Sequence, residues 1–299
     1  MSEILKQVSA ALVETVAALE SAVVRVEARQ RLPGSGVIWS ATGLVVTSAH
    51  VVERDDNIRL GLSDGRVVGA RLLGRDAGAD LAVLQAEAQD LPAPVWAEAE
   101  ALEVGSLVLA LGRPAARALA TLGIISAVDQ GWNTPAGGFV DHYVQTDTVM
   151  YPGFSGGPLV DAGQRVLGVN TSALVSGLSV TIPTQTVRRV VEALRQNKRV
   201  RRGYLGVQAQ AVALPEVLRE RLHQESGLLL IHVEPNSPAA QSRLVQGDTL
   251  VTLNGQPLRS LNDLALVLNG DRGEDKLVAQ VVRAGQVREL PIAIGERTA

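Results

Sequence analysis

Residues 152–159 read PGFSGGPL, and this stretch places Ser155 among three glycines and between two prolines. Such a composition predicts a sharp turn that keeps the serine hydroxyl exposed, because glycine has no Cβ to block a close approach or an unusual φ. Backbone N–H groups left unpaired in the turn can point at a developing negative oxygen. The stretch therefore predicts a nucleophile loop, which in turn requires a base elsewhere in the chain.

Two upstream segments supply a base and a residue to orient it. His50 lies in TSAHVV at residues 47–52, and Asp80 lies in ADLAVL at residues 79–84. Taken singly, the histidine could be a core residue, the aspartate the start of a strand and Ser155 an ordinary loop serine. Taken together, they have the residue types of a serine protease triad. The other three histidines, His142, His223 and His232, lie in no comparable context and are interpreted as structural.

The order His50, Asp80, Ser155 with these three flanks resembles the HtrA/Deg family of serine proteases. The resemblance implies a mainly β fold: a chymotrypsin-like double β-barrel followed by an α+β PDZ domain, with an N-terminal amphipathic helix. The predicted boundaries are residues 1–20 for the helix, 21–197 for the protease domain, 198–202 for a linker and 203–297 for the PDZ domain. The basic run KRVRR at 198–202 is interpreted as a solvated linker.

Composition narrows the classes of function. Of the 299 residues, 46% are apolar and 3% aromatic, so aliphatic side chains must fill the cores. A net charge of −3 gives no electrostatic footprint for nucleic acid. The absence of cysteine excludes disulfides and thiolate metal sites. We predict neither a metal nor a cofactor, and no nucleic-acid partner.

The first twenty residues have an amphipathic pattern. Apolar residues recur there at helical spacing, and charged residues interrupt every apolar run, so no signal-peptide core is recognised. No window of the chain approaches the roughly 18 apolar residues that a membrane span needs. We expect a soluble, cytoplasmic protein, with the periplasm or cell surface as the alternative if an export segment was removed. The helix could pack on its own barrel, while the resemblance implies a homotrimer.

Short β-branched runs separated by turn residues predict two antiparallel barrels rather than βαβ units. The runs assigned to them are residues 23–27, 36–39, 44–47, 58–60 and 67–72, then 107–111, 120–128, 143–146, 166–170 and 179–182. This division puts His50 and Asp80 on the first barrel and Ser155 on the second. The site is therefore expected in the cleft between the two barrels.

The resemblance also assigns roles around the triad. Ser155 attacks the scissile carbonyl, His50 carries the proton and Asp80 orients His50. The oxyanion hole is assigned to the loop of Gly153, Phe154 and Ser155, with the first and last residues as N–H donors. Phe154 stands where asparagine is usual in the family, and its peptide orientation decides whether the N–H of Gly153 faces the hole. The residues expected to form an apolar substrate pocket are Val149, Met150, Tyr151, Thr171, Ser172 and Ala173.

The last third of the chain resembles a PDZ domain, beginning with YLGV at residues 204–207. The glycine of this loop is expected to let backbone amides converge on a peptide C-terminus, and the peptide would add as a strand beside 207–210. A helix is expected to form the other wall of the groove. The alternative interpretation is that this loop is only the start of a buried strand and binds no peptide. The predicted peptide-binding residues are Tyr204, Leu205, Gly206, Val207, Leu264 and Val267.

These observations predict an ATP-independent serine endopeptidase that degrades unfolded or damaged polypeptides and recognises peptide C-termini. A cleft between two barrels binds extended backbone, which favours unfolded chains as substrates. The alternative is a peptide-binding sensor or chaperone whose protease site is latent or vestigial. Its supporting feature is Phe154 in the nucleophile loop.

Overall fold

The computed structural model describes residues 3–98, 102–197, 201–269 and 276–298. Its contacts divide the chain into two compact units, Met1–Val200 and Arg201–Ala299. Of the predicted linker 198–202, residues 198–200 lie outside the described part, and the last two residues already belong to a strand. Each unit is described by itself below.

The first barrel of the first unit is closed and has six antiparallel strands in the order β1-β2-β3-β6-β5-β4. Its interior is lined by aliphatic side chains, as the low aromatic content predicts. A 3₁₀ turn at Ala49–Val51 follows the third strand. The strands are β1 Val23–Glu27, β2 Gly34–Ile38, β3 Leu44–Ser48, β4 Ile58–Gly61, β5 Val67–Asp76 and β6 Leu81–Ala86.

The second barrel closes because its strands pair in the order β11-β8-β9-β10-β13-β12 and the two ends pair with each other. The short strand β7 adds to β12 outside the ring. The strands are β7 Val95–Trp96, β8 Leu107–Gly112, β9 Leu119–Asn133, β10 Phe139–Thr146, β11 Pro158–Asp161, β12 Arg165–Thr171 and β13 Ser179–Pro183. The predicted pair of barrels is thereby confirmed.

Two helices pack on this unit. The N-terminal helix α1, Glu3–Leu19, buries Leu19 and packs Leu12 and Val16 against an apolar cluster of the second barrel. Its other side leaves apolar residues exposed: Ile4, Leu5, Val8 and Val13. Helix α2, Thr184–Asn197, follows the last strand and buries its apolar stripe between the barrels. No helix in the described ranges is both long and apolar enough to cross a membrane.

The second unit is an α+β domain. A five-stranded antiparallel path, β15-β16-β17-β19-β20, carries the core, while β14 pairs with β21 and β18 pairs with β17. The strands are β14 Arg201–Tyr204, β15 Val207–Ala213, β16 Ser226–Val233, β17 Thr249–Leu253, β18 Gln256–Pro257, β19 Lys276–Arg283, β20 Gln286–Ala293 and β21 Gly295–Thr298. The helices are α3 Glu216–Leu222, α4 Pro238–Gln241 and α5 Leu261–Asn269.

Candidate active site

Asp80 lies in the tight turn between β5 and β6 and has a left-handed backbone, with φ 52°. The turn is held from both sides. The carboxylate of Asp76 accepts hydrogen bonds from the N–H groups of Gly78 and Ala79, at 2.9 and 3.2 Å. Thr134, at the tip of the β9–β10 hairpin, donates from its hydroxyl to the carbonyl of Gly78 at 2.6 Å. The second barrel thus helps to fix a carboxylate that belongs to the first.

His50 and Asp80 are hydrogen-bonded to each other. Nδ1 of His50 lies 3.0 Å from Oδ1 and 2.9 Å from Oδ2 of Asp80, and the backbone N–H of His50 donates to Oδ1 at 2.9 Å. The N–H of Ala49 donates to the carbonyl of Asp80 at 3.0 Å, which joins the two turns. Because a carboxylate can only accept, Nδ1 carries the proton and Nε2 is left to accept one from the nucleophile. This is the tautomer of His50 that a triad needs.

Thr171 completes the surroundings of Asp80. It ends strand β12, is wholly buried, and donates from its hydroxyl to Oδ2 of Asp80 at 2.5 Å. The sequence predicted Thr171 as part of a substrate pocket. The structure places its side chain against Asp80 instead, because the end of β12 points the hydroxyl inward at the carboxylate.

The nucleophile loop consists of two consecutive turns. The N–H of Phe154 donates to the carbonyl of Tyr151 at 3.0 Å, and the N–H of Gly157 donates to the carbonyl of Phe154 at 2.9 Å. The third residue of each turn is a glycine with positive φ, Gly153 at 90° and Gly156 at 88°. Type II turns require this conformation and favour glycine there. The two turns give the sharp bend that the composition of the stretch predicts.

The loop is seated against the first barrel. Ser155 is 7% exposed, and its carbonyl accepts a hydrogen bond from the N–H of Ser35 in β2 at 3.0 Å. A Cβ on Gly156 would lie 2.3 Å from Oγ1 of Thr47 and 3.0 Å from the backbone nitrogen of Ser48. Both residues belong to β3, the strand that leads into His50. The structure therefore brings the predicted nucleophile beside the segment that carries its base.

The hydroxyl of Ser155 is hydrogen-bonded to the hydroxyl of Ser172 at 3.1 Å. Within the described ranges it makes no hydrogen bond to His50. Active-site hydrogen bonds are commonly long or misaligned in enzymes without substrate, so this geometry is compatible with catalysis. Sequence reasoning placed Ser172 in the pocket and did not recognise it as a partner of the nucleophile.

The backbone N–H groups predicted to form the oxyanion hole are not used by the protein's own hydrogen bonds. Neither Gly153 nor Ser155 donates its N–H to another residue in the portions of the chain that the structure describes. Between them, the side chain of Phe154 is wholly buried in the core of the second barrel and meets Tyr151 edge to face at 5.8 Å. The substitution of phenylalanine for the usual asparagine thus gives the loop an apolar anchor.

The other residues predicted for the substrate pocket lie at the surface around the nucleophile loop. Val149 is 56% exposed, while Met150 packs partly against the core of the second barrel. Ala173 is exposed, and its N–H donates to the hydroxyl of Thr171 at 3.1 Å. Tyr151, which was also expected at this pocket, is more than half exposed as well.

The second unit contains a groove of about 570 Å³ at the predicted peptide site. Val267 was predicted to line it but is not among the lining residues, whereas Leu268 of the same helix lines it and is also part of the domain core. His232 was interpreted as structural, yet it lines the groove from β16. The lining residues are Gly203, Tyr204, Leu205, Gly206, Val207, Gln208, His232, Glu234, Leu264 and Leu268.

The loop at the end of this groove has free donors. Gly206 has φ 80°, and its carbonyl accepts from the N–H of Glu234 at 2.9 Å. The N–H groups of Leu205 and Gly206 donate to no other residue among those described. Tyr204 closes the loop with a hydrogen bond from its hydroxyl to the carboxylate of Glu234. Neighbouring backbone amides without an acceptor suit a carboxylate ligand.

Two family models match the chain. Residues 34–169 match the trypsin-like peptidase domain, and residues 203–294 match the PDZ domain. The first match contains His50, Asp80 and Ser155. The second contains the groove.

Curated relatives extend the likeness over most of the chain. A probable periplasmic serine endoprotease, DegP-like, of Chlamydia trachomatis is 34% identical over 281 residues, which cover 90% of this chain and 55% of the relative. The protein of the same name from Ectopseudomonas mendocina is 36% identical, over 88% and 56%. The chain thus spans about half the length of the curated relatives it matches. Their names overturn the expectation of a cytoplasmic location, which rested on the hydropathy of one short segment.

Solved structures match at nearly full length. The HtrA-type protease AlgW with tripeptide is 32% identical, with a TM-score of 0.82, and the match covers 95% of this chain and 97% of that one. The serine endoprotease from Yersinia pestis is 30% identical, with a TM-score of 0.77 and the same coverage. Because both domains match in order and the triad residues fall within the first, this chain belongs to the HtrA/Deg family of serine proteases.

Proposed function

We propose that this protein is an ATP-independent serine endopeptidase in which Ser155 is the nucleophile, His50 the general base and Asp80 the orienting carboxylate. The observation that carries the proposal is the paired carboxylate–imidazole contact of 2.9–3.0 Å, together with a nucleophile loop that has two free backbone N–H groups. Each component of amide hydrolysis is then supplied by a described residue.

The proposed reaction proceeds through an acyl-enzyme. Oγ of Ser155 attacks the scissile carbonyl carbon while its proton passes to Nε2 of His50, and the N–H groups of Gly153 and Ser155 stabilise the oxyanion. The imidazolium gives that proton to the leaving amine as the C–N bond breaks. Water, deprotonated by His50, then hydrolyses the ester and regenerates Ser155. Asp80 orients His50 and stabilises the imidazolium, a role worth roughly 10⁴-fold in trypsin.

The proposed substrates are unfolded or damaged polypeptides, since the site accepts extended backbone between two barrels. Peptide C-termini are proposed to bind at the groove of the second unit, with the free amides of Leu205 and Gly206 facing the carboxylate. We propose residues 1–20 for the helix, 21–197 for the protease domain and 203–297 for the PDZ domain. The predicted linker 198–202 is shortened at its end, because Arg201 and Arg202 belong to β14. The names of the relatives support a periplasmic location. A homotrimer is proposed on the family resemblance.

A second candidate is a peptide-binding sensor or chaperone whose protease site is latent. One observation favours it: the hydroxyl of Ser155 is bonded to Ser172 rather than to His50. Under this hypothesis a Ser155→Ala variant keeps every measurable activity, including peptide binding and suppression of aggregation. Under the protease hypothesis the variant loses degradation and keeps only binding.

Degradation of casein by the wild type and by Ser155→Ala, side by side, tests the proposal. We expect cleavage by the wild type alone, together with covalent labelling of the wild type alone by a fluorophosphonate. Cleavage by neither protein would favour the latent sensor. Equal cleavage by both would mean that Ser155 is not the nucleophile.

A further inference from the structure

Ser35 holds both residues that carry the proposed oxyanion donors. It lies wholly buried in β2. Its backbone N–H donates to the carbonyl of Ser155 at 3.0 Å, and its hydroxyl donates to the carbonyl of Gly153 at 2.6 Å. A single residue of the first barrel therefore holds the nucleophile loop of the second at two points.

These two bonds bear on catalysis because oxyanion donors act only when they are oriented in advance. Gly153 has more rotational freedom than any other residue type at that position, so its N–H keeps its direction only if its surroundings fix it. The bond from Ser35 fixes the carbonyl of Gly153, in the peptide unit that follows the N–H, and so anchors the residue from that side. The space around it is closed as well, since a Cβ on Gly153 would lie 2.5 Å from Cβ of Pro114 and 2.8 Å from the carbonyl oxygen of Pro33.

Arg113 orients the hydroxyl of Ser35. The backbone N–H of Arg113 donates to Oγ of Ser35 at 2.7 Å, so that oxygen accepts one hydrogen bond and donates its own proton to Gly153. A hydroxyl with one fixed donor and one fixed acceptor cannot rotate without losing a bond. The three groups form a directed chain of hydrogen bonds that ends at the oxyanion loop.

The side chain of Arg113 anchors this chain to the N-terminal region. The residue is 3% exposed, and its guanidinium donates to three backbone carbonyls, of Val23, Ala116 and Glu20, at 2.7, 2.6 and 2.7 Å. Glu20 begins the 3₁₀ turn Glu20–Ala22 that follows α1. Burial lowers the pKa of Arg113 below its ordinary value. A buried cation is costly, and a cluster of carbonyls at the meeting point of three segments offsets that cost.

We propose that Ser35 is a positioning residue for the oxyanion donors Gly153 and Ser155, and that Arg113 holds Ser35 in place and links the donors to the end of the N-terminal helix. The inference rests on the proposed function, since it concerns the same reaction. It adds two residues that touch no substrate but set how well the transition state is bound.

The variant Ser35→Ala tests the proposed role of Ser35. We expect kcat to fall by about tenfold to a hundredfold with KM within about twofold, because the contact matters chiefly in the transition state. Affinity for a peptide boronic acid, which forms a tetrahedral adduct, should fall by the same factor as kcat/KM. The matched control is Thr184→Val, which removes another buried hydroxyl that donates to a backbone carbonyl, that of Val166 at 3.1 Å. It should lower the melting temperature and leave kcat and boronate affinity unchanged.

Arg113→Lys tests the proposed role of Arg113, because it keeps the charge and loses the three-way fork. We expect a threefold to tenfold loss of kcat with KM unchanged. The control is Arg54→Lys, whose guanidinium also bridges backbone carbonyls, those of Glu27 and Asn57 at 2.9 Å. It should leave kcat unchanged.

The outcomes separate this inference from the proposed function. An active wild type with unchanged kcat in Ser35→Ala, whatever its melting temperature, overturns the inference alone. If Ser35→Ala does not fold, Arg113→Lys decides in its place, and unchanged kcat there overturns it. A wild type that neither cleaves casein nor reacts with a fluorophosphonate would refute the proposed function, and the inference would fall with it.

Discussion

The hydroxyl of Thr171 lies 2.5 Å from Oδ2 of Asp80, although the two residues are 91 positions apart in sequence and belong to different barrels. Asp80 is 4% exposed, so water cannot serve that oxygen in place of the hydroxyl. Both carboxylate oxygens of Asp80 also lie within 3.0 Å of Nδ1 of His50. The orientation of the proposed base therefore depends on a residue of the barrel that carries the nucleophile.

Thr171→Val should lower kcat by roughly tenfold, because the isosteric side chain removes one hydrogen bond to a buried carboxylate, worth about 1.5–3 kcal/mol. KM should change little, since the hydroxyl faces Asp80 and not the substrate. Thr171→Ser keeps the donor and should retain most of the activity. Steady-state hydrolysis of a chromogenic peptide measures both variants. Equal losses of kcat in Thr171→Val and Thr171→Ser would show that the hydroxyl, which only the serine variant keeps, does not matter.

Ser172→Ala should raise kcat/KM by up to about fivefold. The hydroxyl of Ser172 competes with His50 for the hydroxyl of Ser155, and a neutral hydrogen bond of this kind, here partly buried, is worth about 1 kcal/mol. The rate of fluorophosphonate labelling is the most direct measurement, since it reports the reactivity of Ser155 alone. A slower rate in the variant would show that Ser172 assists the nucleophile.

Phe154→Leu should lower both stability and activity. The side chain is wholly buried in the core of the second barrel, so its partial loss costs about 1–2 kcal/mol, and the same side chain anchors the loop of Ser155. Ile125→Val removes a methyl group from the same cluster and is the matched control. Urea unfolding and casein degradation should show comparable losses of stability, with reduced activity in Phe154→Leu alone. Undiminished activity in Phe154→Leu would refute the anchoring role.

Gly206→Ala should weaken peptide binding at the groove by tenfold or more. Residue 206 has φ 80°, and a Cβ there would lie 2.3 Å from Cβ of Ser237, so the loop must shift. Fluorescence polarisation of a labelled peptide with an apolar C-terminal residue measures the affinity. An amidated copy of the peptide should bind weakly to the wild type.

The control for this variant is Gly255→Ala. Its φ is 77°, but a Cβ there would meet no atom within 4 Å, so it carries similar backbone strain without a collision. It should bind the peptide as the wild type does. Equal affinity in Gly206→Ala would place the carboxylate contact elsewhere.

Arg283→Met should destabilise the second unit by about 3–5 kcal/mol. Asp248 is wholly buried, and the guanidinium of Arg283 donates to both of its carboxylate oxygens at 2.7 Å. This hydrogen bonding raises the pKa of Arg283 above its ordinary value, so the guanidinium stays charged. Removing the cation leaves a buried charge unpaired, which is the costly case.

Tryptophan fluorescence can show that this loss of stability is confined to the second unit. All three tryptophans, Trp39, Trp96 and Trp132, belong to the first unit. In urea, the tryptophan fluorescence transition should stay in place while part of the far-ultraviolet circular dichroism change moves to lower denaturant. The control is Arg288→Met, on the exposed side of β20, which should shift neither the fluorescence nor the circular dichroism transition. A shift in the tryptophan transition would mean that the two units unfold together.

The sequence was sufficient for the architecture and for the triad. Residues 23–27 form β1 as predicted, and 44–47 lie within β3, because β-branched runs bounded by turn residues prefer extended backbone. His50, Asp80 and Ser155 could be named because local flanks carried each one. The glycines of residues 152–159 also showed where the chain must turn with positive φ, as it does at Gly153 and Gly156.

Contacts between distant strands decided the rest. Thr171 was predicted in a pocket and lies against Asp80. Leu268 lines the groove although it was not predicted to, and Ser35 carried no signal at all. The bond from Ser35 to Gly153 spans 118 residues and exists only once two barrels have closed and met. Local sequence determines backbone preference and residue chemistry. Which side chain faces which carboxylate or carbonyl depends on strand register and barrel closure, because these set direction to within a hydrogen bond's narrow range of distance and angle.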